Sequence, residues 1–307
     1  NRELADSEGL SAYGEHRLWL RSNVILNELV SVHADLLGLD GGLWGHDNNP
    51  GSGNLALSDT LAPPSGHGVT LRHAWGEFNT SFGRFKLGRQ PIHWGLGIWQ
   101  NDGMSPTSET GDSADRLQWE HIISDVYTSV AIDLQSDSLL NEADHTLAFN
   151  GIVGYRSETI EAGLLAQFRQ TPALDFQVFT IDGSVLAEMG PLELGLEVIG
   201  QFGSGDLESG VNDVRIATIG AATDIKINTE PFGFRLQAGL ATGDNDLDDR
   251  TLKVFTFDSD YDVGIILFEQ PMPILASTTP DEDNLGRSTD HVLLGELISN
   301  TLYIKPT

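Results

Sequence analysis

The stretch Leu192-Glu193-Leu194-Gly195-Leu196-Glu197-Val198-Ile199-Gly200-Gln201 decides how the chain is read. Leu192, Leu194, Leu196 and Val198 fall on one face, and Glu193, Gly195, Glu197 and Gln201 on the other. Alternation at every second residue is the signature of a β-strand whose two faces meet different surroundings. The same pattern recurs along the chain. Ile160, Ala162, Leu164, Ala166 and Phe168 oppose Glu161, Gly163, Gln167 and Arg169. Phe232, Phe234, Leu236, Ala238 and Leu240 oppose Arg235, Gln237 and Gly239, and Leu18, Leu20, Val24 and Leu26 oppose Arg17, Arg21, Asn23 and Asn27. Helical patterning is nearly absent. The spacing predicts strands near 16–27, 30–40, 69–80, 83–94, 114–122, 126–135, 147–157, 160–170, 175–189, 191–201, 214–228, 231–242 and 297–307, with more strand around 252–268.

Connection lengths carry the reading further. Asn27–Leu29, Ser81–Phe82, Ser157–Thr159, Gly190–Pro191 and Glu230–Pro231 are tight turns. Between them lie long polar connections at 42–68, 95–113, 136–146, 202–213 and 243–290. Short turns alternating with long loops are the mark of an all-β, antiparallel up-and-down transmembrane β-barrel. Most segments are near the roughly 9–11 residues a tilted strand needs to cross a bilayer. Aromatics such as Phe149, Tyr155, Phe168, Phe179, Phe232 and Phe234 lie near strand ends, where interfacial girdles belong. Alternation alone also fits a soluble β-sandwich, in which the apolar face is the core, but sandwich strands are usually shorter. The expectation is a single barrel over 1–307, with 1–14 as an N-terminal extension. At least 14 strands are expected, and 14–18 when complete, since thirteen firm strands is an odd count and C-terminal strands would be missing from this chain.

Composition bounds the function. The 307 residues carry 45 acidic and 17 basic side chains, a net charge of −28, with 34 Gly and no Cys. The missing cysteines exclude a disulfide scaffold, a thiolate metal site and a Cys nucleophile. Nucleic acid is excluded as a partner, because phosphate binding takes clustered Lys and Arg. No apolar run approaches the roughly 20 residues of a membrane helix. A 39% hydrophobic content suits a barrel, in which only alternate residues meet lipid.

The residues that could carry chemistry are charges and loops. Arg17, Arg21, Arg72, Arg84, Lys86 and Arg89 lie on the first four strands, and Glu161, Asp182, Glu188, Glu193 and Glu197 on later ones. Two such walls would set a transverse field that orients polar solutes. The competing reading is that inward charges simply pair with one another. The pore-lining set is Arg17, Arg21, Glu77, Lys86, Arg89, Glu161, Arg169, Glu193, Glu197 and Arg235. Alternation falters at Gly88–Gln90, which predicts a bulge or an inward loop there. Asp244, Asp246 and Asp248 place carboxylates at alternate positions, as Ca²⁺ ligands often are, without the Gly and distal Glu of a calcium loop. A solvated acidic loop is the plainer reading. The nine His form no ligand or catalytic pattern, and no Gly-x-Ser-x-Gly elbow or phosphate-binding loop occurs, so no enzyme is expected. Inward glycines such as Gly163, Gly195, Gly220 and Gly239 are read as relieving crowding or bending strands.

The segment from Leu71 to Gly97 resembles a hairpin of Gram-negative outer-membrane porins of the alginate-export type, on Trp75, Glu77, Lys86, Gly88, Arg89, Gln90, Trp94, Gly95 and Gly97. Phe255 to Phe268 resembles a loop segment of barrels related to that group. The resemblance implies an outer-membrane location, with membrane lipid and lipopolysaccharide as surroundings, and polysaccharide or small acids as solutes. The function expected is passive diffusion of a hydrophilic, anionic solute past an infolded loop, 42–68 or 95–113, with no cofactor beyond Ca²⁺ in outer loops. A homo-oligomer or larger outer-membrane assembly is the partner expected. Two alternatives stay open: a non-transporting structural or adhesion barrel whose acidic loops bind cations or a partner, and a soluble carbohydrate-binding sandwich.

Overall fold

The computed structural model describes residues 15–43, 69–105, 108, 111–136, 145–206, 213–244, 249–263 and 300–307, with the side chains of 15–17 and 39–43 left undescribed. The chain divides into two compact units, 1–77 and 78–307, each taken by itself below.

The strands are β1 (Glu15–Ile25), β2 (Val30–Leu43), β3 (Val69–Thr80), β4 (Gly83–Pro91), β5 (Ser113–Ile123), β6 (Val126–Ser136), β7 (Thr146–Arg156), β8 (Ile160–Thr171), β9 (Phe176–Met189), β10 (Leu192–Gly205), β11 (Val214–Thr229), β12 (Phe232–Ala241), β13 (Thr251–Leu252) and β14 (Thr301–Pro306). Hydrogen-bonded neighbours follow the chain through β12 and then β14, and every pairing on that path for which a register is given is antiparallel. β13 is a two-residue parallel bridge to β11. This is the up-and-down, antiparallel strand architecture of a transmembrane barrel, with fourteen strands among the described residues.

Local sequence explains the turns. Asn27 Oδ1 accepts the backbone N–H groups of Leu29 and Val30 at 2.8 and 2.9 Å, closing the first hairpin. Ser157 Oγ accepts the N–H of Ile160 at 3.1 Å in the same manner. Gly190 takes the left-handed φ of +61° that the two-residue link between β9 and β10 requires.

The distribution of exposure separates the two readings of the alternation. On β10, Leu196, Val198 and Phe202 are exposed, while Gly195, Glu197 and Ile199 are buried. On β9, Phe179 and Ile181 are exposed while Thr180 and Asp182 are buried. A soluble sandwich would hide these apolar side chains and wet the carboxylates. Leaving a Leu or Phe in water forfeits about 1.5–3 kcal/mol each, and a contiguous face of them does not stay in water. The outer face is therefore a hydrocarbon-facing surface. Along β9 the apolar residues of outward parity run from Phe179 to Met189. At about 3.3 Å per residue and a tilt of about 40–45°, that span stands about 24 Å tall, close to the roughly 25 Å apolar band of outer-membrane barrels.

Part of the expected strand content is absent. After Thr251–Leu252 the segment 253–263 is not strand. Phe255 and Phe257 alternate as strand residues would, yet both are fully buried against other rings. Where a bulge was expected at Gly88–Gln90, β4 pairs with β5 without a register shift from Arg84 to Pro91.

Candidate functional site

The inner face of the second unit is the site. Its polar side chains are joined across strands. Arg116 clamps Asp133 through two N–H···O bonds, Nε to Oδ1 at 2.6 Å and Nη2 to Oδ2 at 2.7 Å. Asn150 donates to Asp133 at 2.8 Å, and Gln167 donates to Asn150 at 2.9 Å. Asn150, Gln167, Thr180, Gln201 and Thr218 then stand in direct cross-strand register from β7 to β11. A buried charge costs least when paired and bonded, and this ladder supplies both conditions.

Two segments fold onto this wall. Residues 92–104, which follow β4, bring Trp94 over Gly163 and Leu96 over Gly195, where an added Cβ would lie 2.8 Å and 2.5 Å from those side chains. Residues 253–263 bring the Phe255 ring over Gly220, where a Cβ would come within 2.3 Å. Gly163, Gly195 and Gly220 are thus seats for side chains of the infolded segments, while Gly239 makes room for the Tyr303 ring of β14. Ile98, Ile199, Ala222, Ala241, Phe255, Phe257 and Val263 form an apolar cluster on an otherwise polar face. The two segments meet directly: the Asp258 N–H donates to the Ile98 carbonyl at 2.9 Å, and Asp258 lies in hydrogen-bond contact with Asp112. Burial, with Asp112 beside it, pushes the Asp258 carboxyl up to about 7, and burial raises Asp112 as well. The Tyr261 and Tyr303 hydroxyls bond at 2.5 Å, and burial holds the Tyr261 phenol above its ordinary range.

The residues singled out from the sequence fall into distinct places. Lys86 pairs with Glu120 at 3.0 Å, Glu161 with Arg156 at 2.5 Å, Glu193 with Lys226 at 3.2 Å and Arg235 with Asp224 at 2.5 Å. Each of these four charges thus stands in a cross-strand pair. Arg169 differs, for its guanidinium lies 5.5 Å from the Phe176 ring centroid and no carboxylate among the described residues reaches it. Glu197 is fully buried beneath the 92–104 segment. Arg89 does not line the inner face. It follows Phe85 and Leu87 on the exposed face and is neutralised by Asp115 opposite, with N–H···O distances of 2.9 Å. In the first unit, Glu77 sits near His33 at 3.5 Å, and His33 stacks on Trp75 with centroids 4.6 Å apart. Arg21 lies over the Trp19 ring at 4.5 Å, while the Arg17 side chain lies outside the described residues. His73 pairs with the buried Asp35 at 3.0 Å.

Of the calcium candidates, Asp246 and Asp248 lie outside the described residues, and Asp244 lies 3.9 Å from Lys253. Among the described residues no group of three or more His, Asp or Glu could hold a metal. Of the two loops named as constrictions, 42–68 lies almost wholly outside the described residues, and 95–113 contains much of the infolded segment.

Sequence reasoning missed the side chains that do the filling. Trp94, Leu96, Ile98, Phe255 and Phe257 sit in connections, where periodicity assigns no face. The usable signal was the glycine set on the opposing strands, each needing a neighbour to occupy its gap.

Antiparallel strands with an exposed apolar face, a bonded polar face and an infolded connection define the class of transmembrane β-barrels. No family model and no curated protein matches the chain. Among solved structures, the chain is similar to an anion-selective porin from Comamonas acidovorans at 15% identity and a TM-score of 0.47, covering 73% of this chain and 68% of that one. OccK2 of Pseudomonas aeruginosa matches at 12% identity and TM-score 0.45, over 74% of this chain and 58% of that chain. The outer-membrane channel DcaP of Acinetobacter baumannii matches at 10% and 0.46, over 73% and 66%. The chain thus spans about three-fifths to two-thirds of the length of these proteins.

Proposed function

We propose that this chain is an outer-membrane channel for passive diffusion of small hydrophilic solutes, narrowed by the infolded segment 92–104. The observation that carries it is the inversion of exposure: apolar side chains outside, and a hydrogen-bonded wall of Asp, Asn, Gln, Thr and Arg inside. Such a wall offers a solute hydrogen bonds in exchange for those it loses to water. The test is reconstitution of the folded, heat-modifiable protein into planar bilayers. Discrete conductance steps are expected, and a membrane-inserted protein that passes no ions would overturn the reading.

An anionic solute is the finer proposal, and Arg169 supports it as an inner-face cation with no described carboxylate partner. Replacing it in R169Q lowers the preference for chloride over potassium in reversal-potential measurements, while an unchanged preference removes the charge from the account. The polysaccharide or small-acid solutes implied by the alginate-export resemblance, a homo-oligomeric state and lipopolysaccharide contact belong to the same proposal.

A second reading is favoured by the apolar cluster around Phe255 and Phe257. A face meant only for solvated passage has no need of two buried phenylalanines. On this reading the barrel is plugged, and the acidic outer loops, binding Ca²⁺ or a partner, carry the function. Calorimetric titration with Ca²⁺, together with bilayer recording, distinguishes the two.

A further inference from the structure

Glu197 interrupts an inner row of otherwise small residues. In cross-strand register it stands between Ser184 and Ala222, and the row continues through Gly163 and Gly154 on one side and Gly239 on the other. It is fully buried, so no passing solute touches it. Its Oε2 accepts the backbone N–H of Leu96. Asp182, also fully buried, packs against Glu197, with the Trp94 indole facing it. The seat is tight. Gly95 has a φ of +58°, and a Cβ there would lie 2.5 Å from Glu197 Oε2 and 2.8 Å from Ser184 Oγ.

We infer that Glu197 is the positioning residue that fixes segment 92–104 against the wall, with Asp182 and Ser184 shaping its seat. The physical need is plain. Leu96 sits over Gly195, so its amide is carried into a buried place where an unmet N–H is costly. The Glu197 side-chain oxygen meets the Leu96 amide there, and the strand holds it in place. Hydrophobic contact alone would keep the segment near the wall. The Leu96 bond to Glu197 decides which residue sits where. Resting on the channel reading, the clamp also fixes the open cross-section beside the segment.

The experiment compares Glu197→Leu, Glu197→Gln and Gly95→Ala in the full chain, folded in detergent and verified by heat-modifiable migration. Gln keeps an oxygen acceptor, whereas Leu fills similar space without one. Gly95→Ala disturbs the same seat from the loop side and leaves the strand untouched, which serves if Glu197→Leu does not fold. In Glu197→Leu and Gly95→Ala, hydrogen exchange at the Leu96 amide speeds up by about ten-fold or more, as loss of a buried hydrogen bond requires. Bilayer conductance and the size cut-off for neutral sugars rise with it, and Glu197→Gln stays near wild type in both. Wild-type exchange and cut-off in both folded disruptive variants would overturn the clamp, as would a Gln variant that behaves like Leu. If the wild type is silent in bilayers yet the exchange pattern holds, the clamp stands and the channel reading falls.

Discussion

The two infolded segments reach the same wall by different physics. Segment 92–104 is held by the Leu96 amide bonded to the buried Glu197, with Trp94 and Leu96 resting on glycines. Segment 253–263 is held by rings: Phe255 and Phe257 meet edge to face at 5.7 Å, and Phe257 stacks near Tyr261 at 5.2 Å. Directional bonds fix a position sharply and fail when one acceptor is lost. Apolar contact is spread over many atoms, so it tolerates small shifts and responds to volume. The difference teaches that the first segment is a placed object and the second a filler. Their junction, Asp258 against Ile98 and Asp112, couples them.

The sharpest way to break that contrast is to remove the filler. Phe257→Ala should undock segment 253–263 at a cost of about 3–5 kcal/mol, the usual range for an emptied aromatic site. Limited proteolysis within 253–263 would register it, with segment 92–104 keeping its amide protection. Loss of protection in both segments would show that one cannot stand without the other. Next comes Gly220→Val, which pushes a side chain into the Phe255 ring and should cost about 1–3 kcal/mol by overpacking. The same readout applies, and a silent variant would mean the ring has room to move.

The junction should show a pH dependence with a defined sign. The docked state holds the Asp258 proton more tightly than an open loop would, because its carboxyl is raised from 3.8 to about 7. Docking is then favoured at acidic pH and weakens as pH rises through about 7. Hydrogen exchange of the Asp258 amide between pH 5 and 8, corrected for intrinsic rate, measures the slope. Asp258→Asn should flatten it, and a slope that survives would assign the titration elsewhere. The smallest effect expected is that of Tyr261→Phe, which deletes one hydroxyl pair at a cost of about 1 kcal/mol.

How much of this was legible beforehand depends on periodicity. Strand positions such as 160–170 and 191–201 could be read because every second side chain declares its face. The inner placement of Glu161, Glu193 and Arg235 followed from the same parity. Arg89 was misplaced where a bulge was assumed. With β4 in unbroken register, the parity set by Phe85 and Leu87 carries Arg89 outward to Asp115. The segment 252–268 misled for a related reason, since Phe255 and Phe257 alternate in sequence but are placed by packing. Connections have no period, so nothing local says that Trp94 or Ile98 turns inward. Glu197 was found by its face, but its role depends on a segment a hundred residues away.

The outer face has a consequence for how the molecule comes to exist. No single stretch of this chain is apolar enough to leave water, and its mean hydropathy is only −0.15. The greasy surface is collective, assembled when outer residues such as Phe149, Phe168, Phe179 and Phe202 come into register on neighbouring strands. The unfolded polypeptide can therefore cross an aqueous compartment as a polar chain. A slip of one residue would turn Asp133, Asp182 and Glu197 toward hydrocarbon. Charged side chains on the lipid face of such a barrel cost up to about 2–4 kcal/mol each near the bilayer midplane. The bilayer thus acts as a proofreader, admitting the correctly paired sheet and rejecting its one-residue neighbours.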